Sequence, residues 1–131
     1  MIKEIKNQDK LLAIIIPNNF SQDGSTFVTP NEMSQQLAYM KYPKGKLIQA
    51  HQHNHIERKI YDTKEILYIK KGSLLVNFFN DEKKLVEHTI INSGDLILLV
   101  DGGHGFEVLE DIEMIEIKQG PYLGDQDKVK F

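Results

Sequence analysis

The chain contains no cysteine. That excludes disulfides, iron–sulfur clusters and thiolate-ligated zinc, and leaves His, Asp, Glu and carbonyl oxygens as the available metal ligands. It also fits a reducing compartment, and a cytoplasmic location is the expectation. Long apolar runs are missing too. The run at residues 11–16 is too short to span a bilayer, and the charged N-terminal segment ahead of it has no small-residue cleavage site. A mature soluble protein without a membrane partner is expected. Nor is there an excess of positive charge: 16 Lys and Arg stand against 19 Asp and Glu, for a net charge of -3. The lysines fall in short pairs at expected turns rather than in one stripe, so nucleic acid is not an expected partner. Arginine is nearly absent. Arg58 is its single occurrence, and its planar fork suits a carboxylate or phosphate, though a plain surface cation reads equally well.

At 131 residues the chain suffices for one domain with a core that needs no covalent staples. Helical periodicity is not sustained anywhere. From Gly45 onward, short β-rich runs at 46–53, 65–70, 73–79, 85–91, 95–100, 106–109 and 113–118 alternate with turn residues such as Gly72, Asn80-Asp81, Ser93-Gly94 and residues 102–105. Residues 10–16 and 36–42 read as further strands. Residues 17–25 read as loop, and residues 29–32 as a single helical turn. Spacing of this kind indicates a β-sandwich or barrel. Alternation makes Leu67, Ile69, Leu74, Val76, Phe78, Ile97, Leu99 and Phe106 the expected lining, with Tyr68 pointing the other way. The turn-rich tail at 119–131 carries Tyr122, Val129 and Phe131, which could pack back on the body.

What the chain does have is clustered histidine. Of five, three alternate as His51, His53 and His55, and a fourth, His104, lies in the turn Gly102-Gly103-His104-Gly105. In an extended strand alternate side chains share a face about 7 Å apart, so two imidazoles can lean onto one small target. A divalent transition metal is the natural target for neutral imidazole. A solvated histidine-rich strand that merely picks up metal is the competing reading. Mid-strand His88 is expected to be inert.

These residues resemble the first motif of the cupin superfamily. Five residues separate Gly45 from His51-Gln52-His53, and six separate Glu65 from Gly72. The departure is the spacer of eleven residues between His53 and Glu65, longer than the family's, and by loop-closure entropy such a lengthening costs only about 1 kcal/mol. A rival alignment uses Glu57, which has Lys64 rather than a glycine seven residues on. The family's second motif is approximated by Gly94 through His104, with Val100 where proline is usual. The resemblance implies an all-β fold, a double-stranded β-helix or jelly roll, as a single domain over 1–131, with motifs within 45–118 and the tail at 119–131. It further implies that His51, His53, Glu65 and His104 ligate a divalent metal (Fe, Mn, Ni, Co, Cu or Zn), with positions left open for water or substrate.

Two functions remain open at this stage. One is a metalloenzyme acting on a small, carbohydrate-like ligand, an isomerase or related activity of surface-glycan biosynthesis, with His55, Glu57, Arg58 and Tyr61 as candidate catalytic or rim residues. The other is a non-catalytic, metal-dependent binding module for a small molecule. His55 also reads as a plain loop histidine. A homodimer is expected, because exposed sheet edges are a liability that pairing removes.

Overall fold

A computed structural model describes all 131 residues and contains ten strands, one short 3-10 turn and no α-helix. No helix is long and apolar enough to cross a membrane. The chain divides into two compact units: residues 1–20 with 63–131, and residues 21–62.

The larger unit holds two antiparallel sheets. Strands β1 (Lys3–Asn7), β2 (Lys10–Ile16), β5 (Glu65–Lys71), β8 (Leu96–Leu99) and β10 (Glu113–Lys118) form one sheet in the order β1-β2-β8-β5-β10. Strands β6 (Ser73–Phe79), β7 (Leu85–Asn92) and β9 (Gly103–Val108) form the other in the order β7-β6-β9. The architecture is an all-β sandwich, and no barrel closes.

Alternation builds the core. Ile5, Ala13, Ile15, Leu67, Ile69, Ile97 and Leu99 project from the five-stranded sheet, and Leu74, Val76, Phe78 and Ile91 from the three-stranded one, into a single apolar cluster, which Leu12 joins as the extra residue where the β1–β2 register shifts. Seven of the eight residues expected to line a barrel therefore lie in a core between two sheets. The eighth, Phe106, shares the inward face because it stands opposite buried Val76, yet it remains 41% exposed.

Turns between the sheets are set by backbone chemistry. Gly72 links β5 to β6 at φ 89°, a left-handed conformation that costs an L side chain strain. A Cβ there would also lie 2.3 Å from the carbonyl oxygen of Asp111. The β7–β8 turn is organised by Asp95, whose carboxylate accepts from the backbone N–H of Asn92 at 2.7 Å and of Asn18 at 2.8 Å.

The smaller unit contains the hairpin of β3 (Gly24–Phe27) and β4 (Ala38–Lys41). Part of residues 17–25, read as loop from the sequence, thus forms β3. Residues 29–32 make a turn closed by Met33 N–H donating to the Pro30 carbonyl at 3.1 Å. Gln36 secures it, donating through Nε2 to the carbonyls of Pro30 and Met33, both at 2.8 Å.

The run at 46–53, expected as a strand, is not one. Its pattern is β-like, but strand identity requires a neighbouring backbone to pair with, and no strand pairs with it. Instead Lys46 N–H donates to the Pro43 carbonyl in a local turn, and Leu47 is left 87% exposed.

The tail packs back at two points, through the Thr63 hydroxyl, which donates to the Asp127 carboxylate, and through one ring. Phe131 meets Phe79 edge-on, with centroids 5.2 Å apart, whereas Tyr122 and Val129 stay exposed.

Gly72→Ala is expected to destabilise the fold by about 1–3 kcal/mol, through both the positive φ and the collision with Asp111. Gly105→Ala, where a Cβ would meet only a phenyl carbon at 3.7 Å, should change stability by less than about 0.5 kcal/mol. Urea unfolding of the two variants checks the contrast.

Candidate functional site

Sheet register brings Glu65 and His104 together. Glu65 opens β5 and shares the inward face with Leu67 and Ile69, two and four residues on. His104 lies on β9 directly opposite Phe78, a core residue, so its ring also points inward. Glu65 stands beside Leu99 on one side and Lys118 on the other. Two residues far apart in sequence thus meet at one end of the space between the sheets.

The His104 Nε2 atom lies 3.5 Å from Glu65 Oε2. A charge-assisted N–H···O bond is normally about 2.7–2.9 Å, so the pair sits at the long end of polar contact. Two ligand atoms that share one ion at bond lengths of about 2.0–2.2 Å, with angles near those of octahedral or tetrahedral coordination, are roughly 2.8–3.6 Å apart. The separation fits that requirement without movement of either strand. The glycines ahead of His104 make its placement possible: Gly102 adopts φ 74°, and a Cβ there would fall 2.6 Å from the Phe79 carbonyl oxygen. His104 is further steadied by the Phe106 ring, with centroids 5.4 Å apart.

Electrostatics around Glu65 favour the carboxylate. Its polar contact with the His104 side chain holds it below the ordinary 4.5, against the opposing effect of partial burial. The positive charges of Lys118 and Lys128 also lower it. Neither lysine was singled out from the sequence. Lys118 was legible in principle, because alternation along β10 places it beside the β5 residue that opens the motif, whereas Lys128 belongs to a tail without periodicity.

In the smaller unit, His51 and His53 form a second pair. Their rings are edge-on with centroids 5.4 Å apart, so the alternate residues do share a side although the segment is not in a sheet. His51 Nδ1 bonds the Gln49 carbonyl at 2.9 Å. A carbonyl only accepts, so Nδ1 donates here, and in a neutral ring Nε2 is then the nitrogen able to ligate. His53, His55, Glu57, Arg58 and Tyr61 are all exposed. His88 lies on β7 opposite Asn77, exposed.

The expected ligands are therefore divided two and two, Glu65 and His104 in one unit and His51 and His53 in the other. No group of three or more His, Asp or Glu side chains gathers within either unit. Each pair by itself supplies two of the donors that a transition metal takes, with imidazole and carboxylate of the right chemistry.

Compared with known proteins, the chain matches no family model, no curated protein and no solved structure. The lowered pKa of Glu65 has a measurable consequence. A carboxylate held low in the folded state contributes stability that is present above its unfolded pKa and is lost as pH falls through the folded one. Glu65→Gln should therefore flatten the acid limb of the stability curve below about pH 4.5. Thermal melts followed by circular dichroism from pH 6 to 3, wild type against variant, check this; parallel curves would show that Glu65 titrates alike in both states.

Proposed function

We propose that the chain is a metal-dependent jelly-roll protein of the cupin type that binds a small polar ligand, carbohydrate-like in chemistry. In this reading Glu65 and His104 ligate a divalent transition metal, with His51 and His53 supplying the further nitrogens that the motif assigns to them. The observation that carries the reading is the inward-facing Glu65–His104 pair, with its atoms 3.5 Å apart, a spacing suited to a shared ion. It is supported by the His51–His53 ring pair and by the matching spacings from Gly45 to His53 and from Glu65 to Gly72.

A divalent ion held by Glu65 and His104 would supply positive charge able to polarise a ligand oxygen. The chain's own groups do the remainder. Leu67 and Leu99, buried beside Glu65 along and across the sheet, exclude water and sharpen the local field. Lys118 and Lys128 bring positive charge to the same end, suited to a ligand with hydroxyl or anionic oxygens. Arg58 and Glu57 offer exposed hydrogen-bonding groups in the 54–64 segment, and His55, Glu57 and Tyr61 are its candidates for proton transfer. An isomerase or related reaction of surface-glycan biosynthesis in the cytoplasm is the enzymatic form of the proposal. A binding module using the same ligands without turnover is the second form, favoured by the exposure of every candidate acid and base.

Titration of untagged protein with Zn²⁺ and Ni²⁺, followed by calorimetry and elemental analysis, should give one ion per chain. His104→Ala and Glu65→Ala should each weaken binding by roughly a hundredfold, and the double variant His51→Ala/His53→Ala by at least as much. Affinity should also fall as the pH drops below about 6.5, where imidazole protonates. Substoichiometric binding insensitive to these substitutions would refute the proposal.

A further inference from the structure

The outer face of the five-stranded sheet carries two apolar rows that run across four strands. One runs Ile14, Leu98, Ile66, Ile117 and the other Ile16, Leu96, Tyr68, Ile115, each residue directly opposite the next. In the first row Ile14 and Leu98 are fully buried and Ile66 is 6% exposed, yet Ile117 is 54% exposed; Ile115, which ends the second row, is 53% exposed. The first row loses its cover at β10, the edge of the sheet, and the second already at Tyr68 of β5, which is 39% exposed. The opposite edge, β1, carries two lysines and pairs irregularly between Ile5 and Lys6, where Leu12 of β2 is the extra residue, whereas the irregularity of the β10–β5 pair, with Lys70 of β5 as the extra residue, lies at Glu113/Met114 and leaves β10 regularly paired beyond it.

The hydrogen-bonding edge of β10 is open as well. Gln119 N–H donates to the Lys64 carbonyl, so residues 119, 117 and 115 direct their backbone groups to β5. Glu116 and Lys118 direct theirs away from it. An antiparallel partner related by a two-fold axis must place residues of like parity opposite each other, because the faces of the sheet are preserved. Centring the axis on Glu116 opposes two carboxylates, and centring it on Lys118 opposes two ammonium groups. Centring it on Ile115 sets Glu116 against Met114. Centring it on Ile117 instead sets Glu116 against Lys118 twice, as hydrogen-bonded pairs of opposite charge, and sets Ile117 against its own copy. Pairing then runs from Met114 to Gly120 and stops at Pro121, which has no N–H to offer.

We infer that β10 is the dimer interface of this protein: two copies pair β10 against β10 in antiparallel register about Ile117. The two five-stranded sheets become one ten-stranded sheet, and the apolar row Ile14-Leu98-Ile66-Ile117 continues unbroken into the same row of the second copy. The occupant is a second copy of this chain because its own sequence supplies both the charge complement and the apolar continuation. The inference does not depend on metal.

Light scattering and sedimentation of the full chain test it, with circular dichroism confirming that each variant is folded. The wild type should behave as a dimer of twice 15.1 kDa at tens of micromolar. Glu116→Lys and Lys118→Glu, each of which opposes like charges twice, should raise the dimer dissociation constant roughly tenfold or more. The double swap Glu116→Lys/Lys118→Glu should restore it. Because the chain has no cysteine, Ile117→Cys gives a direct readout of register: non-hydrogen-bonded antiparallel partners stand about 4.5 Å apart at Cα, within disulfide reach, so mild oxidation should link the two copies. A monomeric wild type, a dimer indifferent to the single charge reversals, or failure of the Ile117→Cys variant to cross-link would each overturn the inference.

Discussion

The arrangement of the larger unit depends on one constraint: two antiparallel sheets must bury their alternating apolar residues against each other. Once Leu67 and Ile69 point inward from β5, period two sends Glu65 inward as well. Once Phe78 points inward from β6, its register partner His104 must do the same. The polar pair is therefore a by-product of the hydrophobic pattern, positioned by the same alternation that fills the core. Moving it would require a one-residue slip of β5 or β9, and such a slip would turn every buried side chain of that strand to the other face.

Much of this was legible in the sequence because alternation is a local signal. Five of the later strands, β5 to β8 and β10, fall where short apolar runs and turn residues place them, and the inward residues from Leu67 to Leu99 follow from period two; β9 begins at Gly103, so His104 and its flanking glycines, read as a turn, are strand residues because β6 offers them a backbone to pair with. β1 and β3 escaped notice for a physical reason. Each is short and mostly polar or small, with residues such as Lys3, Glu4, Lys6, Gly24 and Ser25, and is a strand because a neighbour offers backbone hydrogen bonds. The run at 46–53 fails in the reverse sense. Leu47, Ile48 and Ala50 have strand-forming spacing, but pairing decides, and the backbone there turns on Pro43 and Gly45 instead.

Of the candidate site, the meeting of Glu65 and His104 was legible to a similar degree. The motif names Glu65 and His104, and register explains why two residues separated by about forty positions meet. The motif also names His51 and His53, whose shared side follows from simple i, i+2 geometry even outside a sheet. The positive surroundings of Glu65 were harder to read, since Lys118 gains meaning only through its register with β5, and Lys128 only through the path of the tail.

The pairing of β2 with β8 carries a consequence for how the molecule is made. Ala13 and Ile14 find their partners in Leu99 and Leu98, so more than eighty residues must leave the ribosome before β2, six of whose seven residues are apolar, has both of its neighbours. Until then the nascent β1–β2 hairpin offers the cell a greasy, half-paired ribbon. Such long-range closure slows folding and lengthens the interval in which chaperones or aggregation compete for the chain.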